Sequence, residues 1–140
     1  VQKNQQVAVL IMRLLLGFVF FFQGFGKVFK FGLENVYKNF FLSSYSDLLP
    51  DFLLLITAYY TSLIELIAGL LLIIGLKTNY ALYALASVLV IVTIGHGLKE
   101  PIWDLSHVMY RTALLIPLLL LPRNLDIYSI DNLIRRKLKK

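Results

Sequence analysis

The sequence predicts an all-α integral membrane fold, a bundle of four spans with both termini cytoplasmic. Apolar residues make up 59% of the chain and the mean hydropathy is +0.75, well above the balance of a soluble domain. They gather into four long stretches at about 7–29, 52–76, 80–98 and 105–121, each broken by at most three charged, amide or imidazole groups. A helix rises about 1.5 Å per residue, so about 20 such residues cover ~30 Å of hydrocarbon. Basic residues also fall unequally on the two sides those spans would create.

The runs are continuous rather than alternating, which argues against a transmembrane barrel. Four spans consume most of the 140 residues, so 1–140 reads as a single membrane domain. The chain contains no cysteine. That excludes disulfide exchange, thiolate metal sites and thiol nucleophiles.

The first span could be mistaken for a signal peptide, with Lys3 as its charged region. Gln23-Gly24-Phe25-Gly26-Lys27 is a poor cleavage site and Arg13 lies inside the segment. A retained helix is the better reading. In the connection 30–51, Leu33, Val36, Tyr37, Phe40 and Phe41 recur at helical spacing. An interfacial helix partly covering the outer mouth of the bundle is expected there. Gly75 followed by Lys77-Thr78-Asn79 predicts a tight turn, which makes the second and third spans antiparallel neighbours. Glu100-Pro101 predicts a similar break before the fourth.

The tail 129–140 reads as a short basic surface helix. Ser129 can cap it, Asp131 sits in its first turn, and its last turn is basic, which suits the helix dipole. Ile130, Leu133, Ile134 and Leu138 would form an apolar stripe on the membrane surface. A solvated basic tail that fixes topology explains the same residues.

The side holding both termini collects Lys3, Lys77, Arg123, Arg135, Arg136, Lys137, Lys139 and Lys140. On the other side Lys27, Lys30, Lys38 and Lys99 are offset by Glu34, Asp47, Asp51, Glu100 and Asp104. The positive-inside rule therefore puts the termini in the cytoplasm of a multi-pass protein of the bacterial inner membrane. A basic tail beside a last span is explained by topology and anionic lipid, so no nucleic-acid partner is called for.

Ionisable groups in hydrocarbon are costly and need partners. Arg13 lies about 9 Å in from Val7 and Glu65 about 16 Å from the same side, close enough for a structural ion pair across the first two spans. Ser62 and Tyr59 are placed on the face of Glu65. A second set gathers in the outer third: Gln23 and Lys27, Tyr59, His96, then His107 and Arg111. Pairs spaced by four share a helix face. Such a pocket suits an anionic or carbonyl-bearing small molecule, a quinone head group among them. Interface anchoring competes with this reading, since Lys27 and Arg111 can snorkel outward. Axial haem ligation by His96 and His107 lacks any supporting pattern, and no metal site is called. No catalytic set is recognisable.

These residues also resemble a family. Arg13-Leu14-Leu15-Leu16-Gly17, then Gln23-Gly24 and Gly26-Lys27, is similar to the first helix of DoxX-family membrane proteins. Ile64-Glu65-Leu66-Ile67-Ala68-Gly69 and the following run to Leu76 resemble that family's second helix; His96-Gly97 and the region 117–121 extend the likeness. The resemblance implies a four-helix inner-membrane bundle related to subunits of thiosulfate:quinone oxidoreductase and to oxidoreductase complexes of oxidative-stress defence. Arg13, Gln23, Lys27 and Glu65 match its recurring polar positions, with no settled catalytic assignment to carry over.

The expected function is the membrane subunit of a quinone-linked oxidoreductase complex. Its partners are the lipid bilayer and other membrane or peripheral subunits, or further copies of itself. The alternative is a non-enzymatic membrane adaptor or chaperone that binds protein or lipid. A transporter ranks third.

Overall fold

The computed structural model describes residues 1–100 and 106–139, without the side chain of His107. The break expected at Pro101 and the start of the fourth span lie outside them. The regular structure of the described residues is all helical, with no strand among them.

Helix α1 (Gln2–Phe25) runs on into a wider turn at Gly26–Phe31. Together they form one 30-residue apolar rod. Gly32, with φ 82°, ends it. A short stretch of helical turns follows: α2 (Leu33–Val36), a looser turn over Tyr37–Leu42, and α3 (Ser43–Tyr45). The helical turns agree with the periodicity of this connection, and Val36 is buried. On its outer face Lys38 donates to Glu34 at 2.6 Å. That bond, with the attraction of the ammonium charge, holds the Glu34 carboxyl below the ordinary glutamate range.

Helices α4 (Asp51–Ile74) and α5 (Thr78–Lys99) follow. With the first rod they are the three helices long and apolar enough to cross a membrane. Helix α6 (Ser106–Leu120) is apolar too, but its 15 residues cover only about 22 Å and Pro117 interrupts its bonding. α1 packs on α4 and α6, and α5 packs on α4 and α6, so the four helices enclose one core. Leu16, Phe20, Leu72, Leu82 and Leu85 are fully buried within it.

The closest approach is between α1 and α4, and glycine makes it. A Cβ added at Gly24 would lie 2.3 Å from the backbone nitrogen of Leu66, and one at Gly69 would lie 2.5 Å from that of Phe21. The two backbones therefore touch where side chains would otherwise stand. This contact fixes the register, with Gly24 beside Glu65–Leu66 and Gly17 beside Gly69 and Ile73.

Between α4 and α5, Gly75 takes the left-handed conformation (φ 70°, ψ 40°) and Leu76 N–H returns to Leu71 O at 2.9 Å. This Schellman-type ending is the tight turn the sequence predicts. The tail locks onto it. Helix α7 (Ile130–Leu138) starts at Ser129, whose hydroxyl accepts from the Asn132 N–H at 3.2 Å. Asp131 then accepts from the backbone N–H groups of Lys77 (2.7 Å) and Thr78 (2.9 Å), capping α5 from a distance in sequence. The tail is thus stitched to the helix ends rather than freely solvated, while Leu133, Ile134 and Leu138 stay exposed.

Candidate functional site: a cavity with a polar inner wall

The register of α1 on α4 decides the ion pairs, and it overturns the pairing of Arg13 with Glu65. Arg13 stands level with the C-terminal end of α4, where its guanidinium donates to the carbonyls of Leu72 and Ile73 and to that of Tyr128. Its Nε meets Asp126 Oδ1 at 3.2 Å. Leu72 O also accepts from the Gly75 N–H at 3.2 Å, and the buried cation adds to that cap and complements the helix dipole. Glu65 lies about 10 Å further along the helix. Its carboxylate accepts from Lys27 Nζ at 2.7 Å, one turn beyond the Gly24 contact. Glu65 is 1% exposed.

Around that second pair lies a cavity of about 1010 Å³, bounded by α1, the α2–α3 segment, α4, α5 and α6. Gln23, Lys27, His96 and Arg111, all expected at a pocket, line it together with Glu65 and Thr61. Gln23 Oε1 is buried and accepts no hydrogen bond from the described residues. Arg111 lies with its guanidinium carbon 5.4 Å from the Phe20 ring centroid, a cation–π distance. The outer rim is aromatic and exposed: Phe22, Phe31 and Phe40 on one side, with Phe31 and Phe40 edge to face at 6.0 Å. Lys99 stands 5.8 Å from the Tyr45 ring centroid across the same mouth.

Tyr59 does not belong to this set. It is 36% exposed and absent from the lining. Two steps of three residues rotate a helix position by about 120° from its starting face, so Tyr59 has drifted away from Glu65. Steps of four drift far less, and Thr61 and Thr57 do line the cavity. Thr61 donates to Thr57 O at 2.9 Å, leaving its oxygen as an acceptor in the wall. The side chain of His107 lies outside those described.

Sequence reasoning placed Glu65 in the wrong pair and missed Asp126 and the two threonines. The glycines held the signal for the first, because Gly17, Gly24 and Gly69 define the only close register of the two helices. The four-residue repeat Thr57, Thr61, Glu65 held the signal for the last.

Large apolar-walled cavities with a few convergent polar groups are the usual form of small-molecule sites. Here the polar set comprises a carboxylate paired with an ammonium, an amide, an imidazole and a guanidinium, which can hold a polar head group between donors and acceptors. Among the described residues no group of three or more potential metal ligands comes together. Neither a curated protein nor a solved structure matches the chain. The family model of DoxX matches residues 8–97, which include Arg13, Gln23, Lys27, Glu65 and His96. The chain is therefore a member of the DoxX family.

Proposed function

We propose that the protein is the membrane subunit of a quinone-linked oxidoreductase complex and that this cavity receives a quinone or a small reductant. The observation that carries the reading is the division of the cavity. Its inner wall holds Gln23, Lys27, Glu65, His96 and Arg111, while its rim presents Phe22, Phe31 and Phe40. An amphipathic ligand with a polar ring and an apolar tail matches both parts. The half-buried guanidinium of Arg111 has no carboxylate in salt-bridge range among the described residues, and an orphan acceptor on Gln23 is costly unless a ligand meets it. Electron transfer would then need a partner subunit or a directly reacting substrate.

In this reading four spans cross the bacterial inner membrane with both termini cytoplasmic, α6 serving as the short fourth. The cavity faces the outer side. A second reading, an adaptor for protein or lipid, draws on the exposed apolar residues and adjacent basic residues of α7.

The test is gentle purification into lipid nanodiscs, solvent extraction with mass spectrometry, and titration with a short-tailed quinone. Co-extracted quinone and saturable binding are expected. Arg111→Leu should weaken that binding about tenfold, the loss of one charge-assisted hydrogen bond, with the unfolding midpoint little changed. No extracted quinone together with no saturable binding would leave the adaptor reading.

A further inference from the structure

We infer that the cavity distinguishes the redox state of its ligand, with Gln23 and Arg111 favouring the hydroxyl head group of a quinol over the carbonyl of a quinone. The inference rests on the proposed quinone site and adds to it which form is held more tightly.

Lys27 is engaged by Glu65 at 2.7 Å. Arg111 can only donate, and among the described residues its cationic face meets the Phe20 ring, not an acceptor. Gln23 Oε1 can only accept, and it is buried and accepts no hydrogen bond from the described residues. Glu65, while ionised, likewise only accepts. Gln23 and Arg111 both line the cavity, and the Phe20 ring that Arg111 covers lies one helical turn from Gln23 on α1, so the guanidinium and the orphan amide oxygen adjoin.

A ligand oxygen lodged there meets a donor from one side and an acceptor from the other. A quinone carbonyl satisfies Arg111 but leaves Gln23 Oε1 unpaired. A quinol hydroxyl satisfies both, because its oxygen accepts from Arg111 while its hydrogen goes to Gln23. Sites that hydrogen-bond a hydroxyl reject ligands lacking it, since the buried partner is left stranded.

The experiment uses the full chain in nanodiscs, titrated anaerobically with one short-tailed benzoquinone, its quinol, and the dimethyl ether of that quinol. The ether keeps the oxygens and removes the hydroxyl hydrogens. The quinol should bind about tenfold tighter than the quinone, one buried hydrogen bond's worth. The ether should bind no tighter than the quinone. Gln23→Leu should bring quinol and quinone affinities within about threefold of each other, chiefly by weakening the quinol. Equal affinities in the parent, a preference for the quinone, an ether as tight as the quinol, or a Gln23→Leu variant that keeps the preference would each overturn the inference. If none of the three compounds binds, it is the quinone site itself that fails.

Discussion

Two basic residues of the first helical rod, Arg13 buried and Lys27 half-buried, have been given different tasks by their depth. Arg13 satisfies three carbonyls besides Asp126, so the ion pair is only part of its role. Asp126→Asn should therefore cost modestly, about 1–2 kcal/mol, while Arg13→Leu strands both a carboxylate and a helix end and should cost ~3–5 kcal/mol. Chemical or thermal unfolding in detergent separates the two, and equal losses would show that the ion pair alone matters. Among the described residues Lys27 pairs with Glu65, which is almost fully buried. Lys27→Met removes the hydrogen-bonded ammonium from a buried carboxylate, leaving only the attraction of the Arg111 charge, and should destabilise by roughly 3 kcal/mol, whereas Lys27→Met with Glu65→Gln should recover most of it. If the double variant is no better than the single, Glu65 is not held as a charge by Lys27. At this scale the sequence was half legible. It showed which groups were out of place in hydrocarbon, but depth counted from nominal span ends could not choose partners. Helix α1 starts at Gln2 and its first turns run beyond the end of α4, which shifts Arg13 away from Glu65.

The register between elements rests on glycine, so it can be tested by adding one methyl group at a time. Gly24→Ala places a Cβ 2.3 Å from the Leu66 nitrogen, against backbone that has nowhere to go. The helices must separate, and Lys27 and Gln23 move with α1. A loss of ~1–3 kcal/mol is expected, with weaker ligand binding. Gly97→Ala is the control, since nothing lies within 4 Å of its added Cβ. Alanine in a helix is favoured over glycine by roughly 0.5–1 kcal/mol, so that variant should be neutral or slightly more stable. Similar behaviour of the two would mean that the α1–α4 contact is looser than it stands here. Helix positions themselves were readable from hydropathy, as were the Gly75 turn and the Ser129 cap. The docking of the tail was not, because Asp131 acts on the N–H groups of Lys77 and Thr78, residues distant in sequence. Periodicity reports which face is apolar; it carries no information about a polar contact between distant loops.

Across the whole molecule the polar groups form two separate ends. Arg13 and Asp126 lie at one end and the Gln23–Lys27–Glu65 cavity at the other, with Leu16, Phe20, Leu72, Leu82 and Leu85 fully buried between them. Arg13 and Gln23 are about 15 Å apart along α1, and the intervening core-facing residues offer no polar step. Such a layer separates the two ends, so a ligand in the proposed site would be reached from one side only. The absence of cysteine makes sidedness directly measurable, because any introduced thiol is the only one present. Ser44→Cys puts a thiol in the cavity wall and Lys77→Cys puts one at the α4–α5 turn. In sealed right-side-out vesicles, a membrane-impermeant maleimide should label Ser44→Cys at once and Lys77→Cys only after permeabilisation. The opposite pattern would reverse the proposed orientation. Labelling of Thr57→Cys, deeper in the same wall, gives the remaining information. Reagent supplied outside should reach it, and reagent trapped inside should not. Modification from both sides would mean that the leucine and phenylalanine layer opens, and a transport function would then regain its claim.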